Sequence, residues 1–88
     1  MFKVNAENPI TKPEIEIQIN MPYATRHAQL SQVNLQGVNE RYLWKGTLKR
    51  GENRLIIDVG ATPSGERMLC FEDKENGYQT CIFLVFLR

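Results

Sequence analysis

The stretch EIEIQIN, residues 14–20, alternates isoleucine with a polar side chain at every step. In an extended chain, successive side chains point to opposite faces. Ile15, Ile17 and Ile19 therefore share one face, and Glu14, Glu16, Gln18 and Asn20 share the other. This is the pattern of a strand with one face on a core and one in water, as in antiparallel sheets. Pro13 and Pro22 bound the segment, because proline has no N–H to give to a sheet ladder.

Further extended segments flank it. Phe2 to Asn5 reads as a first edge strand. In Ala28 to Leu35 the apolar positions change parity between Leu30 and the pair Val33 and Leu35, which signals a bulge or a break. Arg41 to Leu48 carries Tyr42, Trp44 and Leu48 on one face. Arg54 to Val59 gathers Leu55, Ile57 and Val59, with Ile56 opposite. Between these two, Lys49-Arg50-Gly51-Glu52-Asn53 reads as a hairpin loop, and residues 60–65 form a longer connection. Arg67 to Asp73 and Tyr78 to Leu87 complete the set. The last is apolar on both parities, Ile82, Leu84 and Phe86 against Phe83, Val85 and Leu87, which favours a sandwich over a barrel.

No window holds apolar residues at helical spacing over three turns. The sequence thus predicts an all-β fold: an antiparallel immunoglobulin-like sandwich of about six to seven strands, with a small β-barrel as the alternative. The expected core is Ile15, Ile17, Ile19, Leu30, Trp44, Leu55, Ile57, Phe71, Ile82, Leu84 and Phe86. The 88 residues make one domain, 1–88. A hydrophobic fraction of 42% and a charged fraction of 24% are those of a globular chain, not a disordered one.

Net charge is +1, from 11 basic and 10 acidic side chains, so no global field draws in nucleic acid or an anionic membrane. The longest apolar run, Cys81 to Leu87, is far short of the roughly 20 residues a membrane helix needs. The start, MFKVNAENP, has no apolar signal-peptide region. The chain is then cytoplasmic, or Met1 replaces a removed signal or anchor.

The two cysteines, Cys70 and Cys81, lie either side of a turn in LCFEDKENGYQTCIF, residues 69–83. Three registers are open. A two-residue turn on Asn76-Gly77 puts Cys70 opposite Phe83 and leaves Cys81 one diagonal away, at about 7 Å between Cβ atoms. That exceeds the roughly 3.8 Å a disulfide needs. A four-residue loop, Lys74 to Gly77, pairs Asp73 with Tyr78 and sets Cys70 directly across from Cys81. A three-residue loop with a bulge at Gly77 sends the two to opposite faces. A disulfide selects the four-residue loop; otherwise the pair are buried thiols. Their spacing matches neither a zinc knuckle nor a C-x-x-C redox motif.

Little else points to chemistry. His27 sits in a segment, residues 22–27, that reads as a loop, with no serine or cysteine tied to it by a motif. Glu14 and Glu16 share a strand face, as solvated carboxylates do. No nucleophile elbow, phosphate loop or H-E-x-x-H occurs, so the chain reads as non-catalytic, with no cofactor. Lys45, Lys49, Arg50 and Arg54 gather near Tyr42 and Trp44, a basic tip able to meet an acidic partner or single-stranded nucleic acid, or simply to keep an edge soluble. Met21, His27 and Met68, with reduced cysteines, are soft donors of the kind that suit Cu(I).

The segments INMP (19–22), YLWKGTLKRG (42–51) and NRLIIDV (53–59) resemble the β-sandwich domain of FixH-type oxidase assembly proteins and the related YtkA-like domains. The likeness spans Pro13 to about Leu69 and lacks that family's N-terminal membrane helix. It implies an extracytoplasmic sandwich assisting assembly of a copper-containing respiratory oxidase, and it assigns no single residue a role. Three functions are therefore expected in order: a module binding another protein; a copper-handling assembly factor outside the cytoplasm; and a small cytoplasmic or phage-type regulator acting through the basic tip. Homodimerisation by edge-strand pairing is a further expectation. A Cys70–Cys81 bridge favours the extracytoplasmic setting, free thiols the cytoplasm.

Overall fold

The alternation at residues 14–20 is realised as β2, the middle strand of a three-stranded sheet. The structure is a computed structural model describing residues 3–88. Its strands are β1 (Lys3–Ala6), β2 (Glu14–Met21), β3 (Thr25–Val33), β4 (Asn39–Leu48), β5 (Gly51–Asp58), β6 (Gly65–Asp73) and β7 (Tyr78–Phe86). One sheet has the order β1-β2-β5 and the other β4-β3-β6-β7, and neighbouring strands run antiparallel in both. The result is an all-β sandwich. Phe2, predicted to open the first strand, lies outside the described residues.

Ile15, Ile17 and Ile19 are buried and face Leu30, Leu69, Phe71, Leu84 and Phe86 of the other sheet. Each large apolar side chain taken out of water contributes about 1.5–3 kcal/mol. Of the expected core, Trp44, Leu55 and Ile82 are only partly buried but pack against it. Ile10, Met21, Leu48 and Val59 join it.

The predicted hairpin at 49–53 is corrected. Gly51 to Asn53 already belong to β5 and pair with β2, whereas β4 lies in the opposite sheet. The connection is a corner between sheets, entered through Gly51 at φ +93°. The Asn53 side chain supplies the missing ladder: its Nδ2 donates to Lys49 O at 2.8 Å, and Lys49 N–H donates to its Oδ1 at 3.1 Å. The segment around His27 is corrected too. β3 begins at Thr25, so His27 lies on a strand, while Leu35 falls in the turn beyond the strand's end.

The parity change along residues 28–35 does mark irregular pairing, and it is confined to the β3–β4 side. β3 pairs with β6 without a slip, but its register with β4 shifts at three places. One shift lies between Leu30↔Trp44 and Ser31↔Tyr42. An extra β4 residue there flips the faces, so Trp44 turns toward the core while Tyr42 stays outside, 56% exposed. The expectation that Tyr42, Trp44 and Leu48 share a face fails at this bulge. Trp44 then lies across Gly46, where an added Cβ would sit 2.7 Å from Trp44 Cζ2. Gly46→Ala should therefore lower stability by about 1–3 kcal/mol through overpacking and shift Trp44 fluorescence. A denaturation midpoint equal to wild type would refute this contact.

Residues before β2 finish the second sheet. Ile10 makes a parallel bridge beside β7, its N–H donating to Val85 O at 2.7 Å and its carbonyl accepting from Leu87 N–H at 2.8 Å. Asn8 extends the contact, accepting from Val85 N–H at 2.9 Å. At the same end the Arg88 guanidinium donates to the carbonyls of Lys12, Val59 and Thr62.

Candidate functional site: the outer face of the four-stranded sheet

On β3, Gln29, Ser31 and Val33 alternate with the inward Leu30 and define three rows across the sheet's outer face. Through the ladders, one row reads Asn39, Val33, Met68, Phe83. The next reads Tyr42, Ser31, Cys70, Cys81, and the third Lys45, Gln29, Glu72, Gln79. The face therefore grades from apolar through the cysteine pair to polar and cationic. Phe83 stands 66% exposed at one side and Tyr42 at the other. Lys45 Nζ lies 4.3 Å from the Tyr42 ring centroid, a cation–π contact that holds both side chains on the surface.

Cys70 and Cys81 are joined by a disulfide across β6 and β7, with Cα atoms 4.1 Å apart. Asp73 pairs with Tyr78, so Lys74 to Gly77 form the four-residue loop that a bridge requires. Gly77, at φ +72°, donates its N–H to Asp73 O at 2.9 Å. This left-handed position favours glycine over residues with a Cβ. The two other registers are excluded.

The loop is organised from beneath by a buried carboxylate. Asp73 accepts from Thr25 Oγ1 at 2.7 Å, from the N–H groups of Glu75 and Asn76 at 3.1 and 3.2 Å, and from Asn76 Nδ2 at 2.8 Å. Burial pushes its pKa up, but the bonds from Asn76, Thr25 and Glu75 together outweigh that and hold it below the usual carboxylate value. Glu40, at a β4 bulge, accepts from Gln32 Nε2 at 2.9 Å and Arg67 Nε at 2.8 Å. The Gln32 bond, opposed by burial and aided by Arg67, keeps its pKa low as well.

Part of the β7 edge is left open. The backbone groups of Phe83 and Val85 that point away from β6 bond to Asn8 and Ile10. Cys81 and Gln79, of the same parity, point theirs away from β6, and among the described residues no such cover lies on them.

The predicted basic tip is divided. Tyr42 and Lys45 meet on this outer face. Lys49 and Arg50 occupy the corner between sheets. Arg54 projects from the three-stranded sheet, where Glu52 and Glu16 pair with it at 3.2 and 3.7 Å. The soft donors are also dispersed: Met21 is in the core, Met68 on the outer face, His27 at the start of β3, and both cysteines are oxidised. Phe83 and Val33 are the contributors the sequence reading did not single out. The signal was present in the double apolar parity of the last strand, whose outer parity carries the exposed Phe83. No protein-family model matches the chain, and no curated protein does.

Proposed function

We propose that the protein is a non-catalytic binding module that engages a partner protein through the outer face of its four-stranded sheet. The exposed Phe83 and Tyr42, flanking the Val33–Met68 and disulfide rows, carry this reading. Rigid aromatic anchors with few rotamers are the residues that supply most binding energy at protein interfaces. The face is stiffened by the disulfide, so little entropy is lost when a partner docks. The open stretch at Gln79 and Cys81 adds main-chain donors and acceptors beside the anchors. The strand order β1-β2-β5 against β4-β3-β6-β7 supports an immunoglobulin-like relationship. The disulfide supports an oxidising compartment, since bridges rarely persist in a reducing cytosol.

Selection of displayed peptides against the folded protein tests the face directly. Peptides should be enriched whose affinity falls about tenfold or more in Phe83→Glu. They should retain affinity in Ile56→Glu, a change at an equally exposed apolar side chain (64%) on the opposite sheet. Binders insensitive to Phe83→Glu, or an absence of binders, would overturn the assignment.

A further inference from the structure

We infer that the notch between the start of β3 and β4 is an oxyanion subsite that takes a phosphate or carboxylate group. The register makes the notch: Thr25 pairs with Leu48 and Ala28 with Gly46, so β3 holds one more residue than β4 between these pairs. Such a bulge bends the strand and re-aims its side chains. Here it turns Arg26 and His27 to the rim of a cavity of about 320 Å³. That volume admits an oxyanion and several waters, each occupying about 30 Å³ in the liquid.

Cations reach the notch from three separate elements: Arg26 from β3, Lys45 from β4 and Lys74 from the β6–β7 loop. The loop is fixed in place, because Lys74 N–H donates to His27 O at 2.8 Å. Gly46 lines the wall without a side chain, and Gln29 adds an amide. The carboxylates nearby are already engaged. Glu75 pairs with Arg26 at 3.1 Å, and Glu72 accepts from Gln29 Nε2 at 2.9 Å. Among the described residues, neither Lys45 nor Lys74 has a carboxylate within ion-pair distance. Lys45, whose ammonium rests 4.3 Å from the Tyr42 ring centroid, and Lys74 thus border one concavity without a paired carboxylate, while the Arg26–Glu75 pair is exposed and contributes little. An oxyanion seated there would accept charge-assisted hydrogen bonds from side chains whose backbones are already ordered. The notch borders the polar end of the sheet face described above and shares Gln29 and Lys45 with it, but not the Phe83 anchor.

The test is a titration of isotope-labelled protein by sodium phosphate, and separately by sodium acetate, at constant ionic strength so that screening does not change. Backbone amide shifts should saturate at residues 26–29, 45–46 and 74. Saturation by phosphate alone assigns a phosphate group, by acetate alone a carboxylate, and by both the shared oxyanion chemistry. The double variant Lys45→Met, Lys74→Met should weaken binding roughly tenfold or more. The control double variant Lys49→Met, Arg50→Met, which removes equal charge at the sheet corner, should leave it unchanged. Amide spectra report directly whether each variant is folded. Shifts that never saturate with either anion, or an equal loss in the control variant, would overturn the subsite and reveal only diffuse surface charge.

Discussion

Replacing Cys70 and Cys81 together by serine should lower the unfolding free energy by about 3 kcal/mol, the entropy a closed loop of this size removes from the unfolded chain. The bridged residues are 11 apart in sequence. The folded state should lose little at Cys81, which is exposed, so that a serine hydroxyl there reaches water. Cys70 is buried, and its serine needs a hydrogen-bond partner within the sheet face. The β6–β7 ladder also retains its backbone bonds and its loop, which Asp73 and Gly77 define independently. With a urea slope of roughly 1 kcal/mol per molar for a chain this small, the midpoint should fall by about 3 M. The slope itself should rise, since an uncrosslinked unfolded chain exposes more surface. Urea titrations of the oxidised protein and the double serine variant measure both quantities. A midpoint shift under about 1 M would overturn this account and mean that the unfolded chain gains little freedom when the bridge is removed.

The same hairpin shows what a sequence discloses. Its register was legible because only one loop length places Cys70 across from Cys81. That constraint is set by covalent geometry and needs no knowledge of the surroundings. β2 was legible for a similar reason: one side of it is fully buried, so the isoleucine period survives intact. β4 was not. The facing of Tyr42 and Trp44 depends on a bulge against β3, and a bulge is a property of two strands rather than one. The corner at Lys49 and Arg50 carries the same Gly and Asn turn chemistry as a hairpin, and only the partner of Gly51 distinguishes them. The notch was invisible for a plainer reason. Arg26, Lys45 and Lys74 are remote in sequence, and they converge through the β3–β4 pairing and the bond from Lys74 N–H to His27 O.

Phe83 shows a different case. Its apolar outer parity on β7 favoured a sandwich, which the two sheets form, and the side chain itself stands mostly in water. A single exposed aromatic would be unremarkable. Its row with Met68 and Val33, beside Tyr42 and the disulfide, is what supports the docking surface proposed above.

Asp73→Ala should destabilise the protein by about 3 kcal/mol, since it strands the buried Thr25 hydroxyl and removes the acceptor that fixes the loop. Thr25, fully buried, loses the oxygen its hydroxyl reaches at 2.7 Å, and the loop loses the acceptor of two N–H groups and the Asn76 amide. Asp73→Asn keeps one acceptor in place and should cost roughly half as much. The ionised carboxylate also makes stability depend on pH. Its folded pKa lies below the unfolded value of about 3.9. The unfolded chain therefore binds the proton first as pH falls, and stability falls with it. The contribution is fully present well above that unfolded value and is lost as pH drops through the lower folded one. Glu40, lowered in the same direction, acts alike in both proteins and cancels when wild type is compared with Asp73→Asn. Urea denaturation of the two from about pH 7 to about pH 3 should thus show a stability gap that is constant near neutrality and narrows below about pH 4. A gap that keeps its size in acid would mean the carboxylate's charge is immaterial, and that Asp73 serves Thr25 and the loop only as a neutral acceptor.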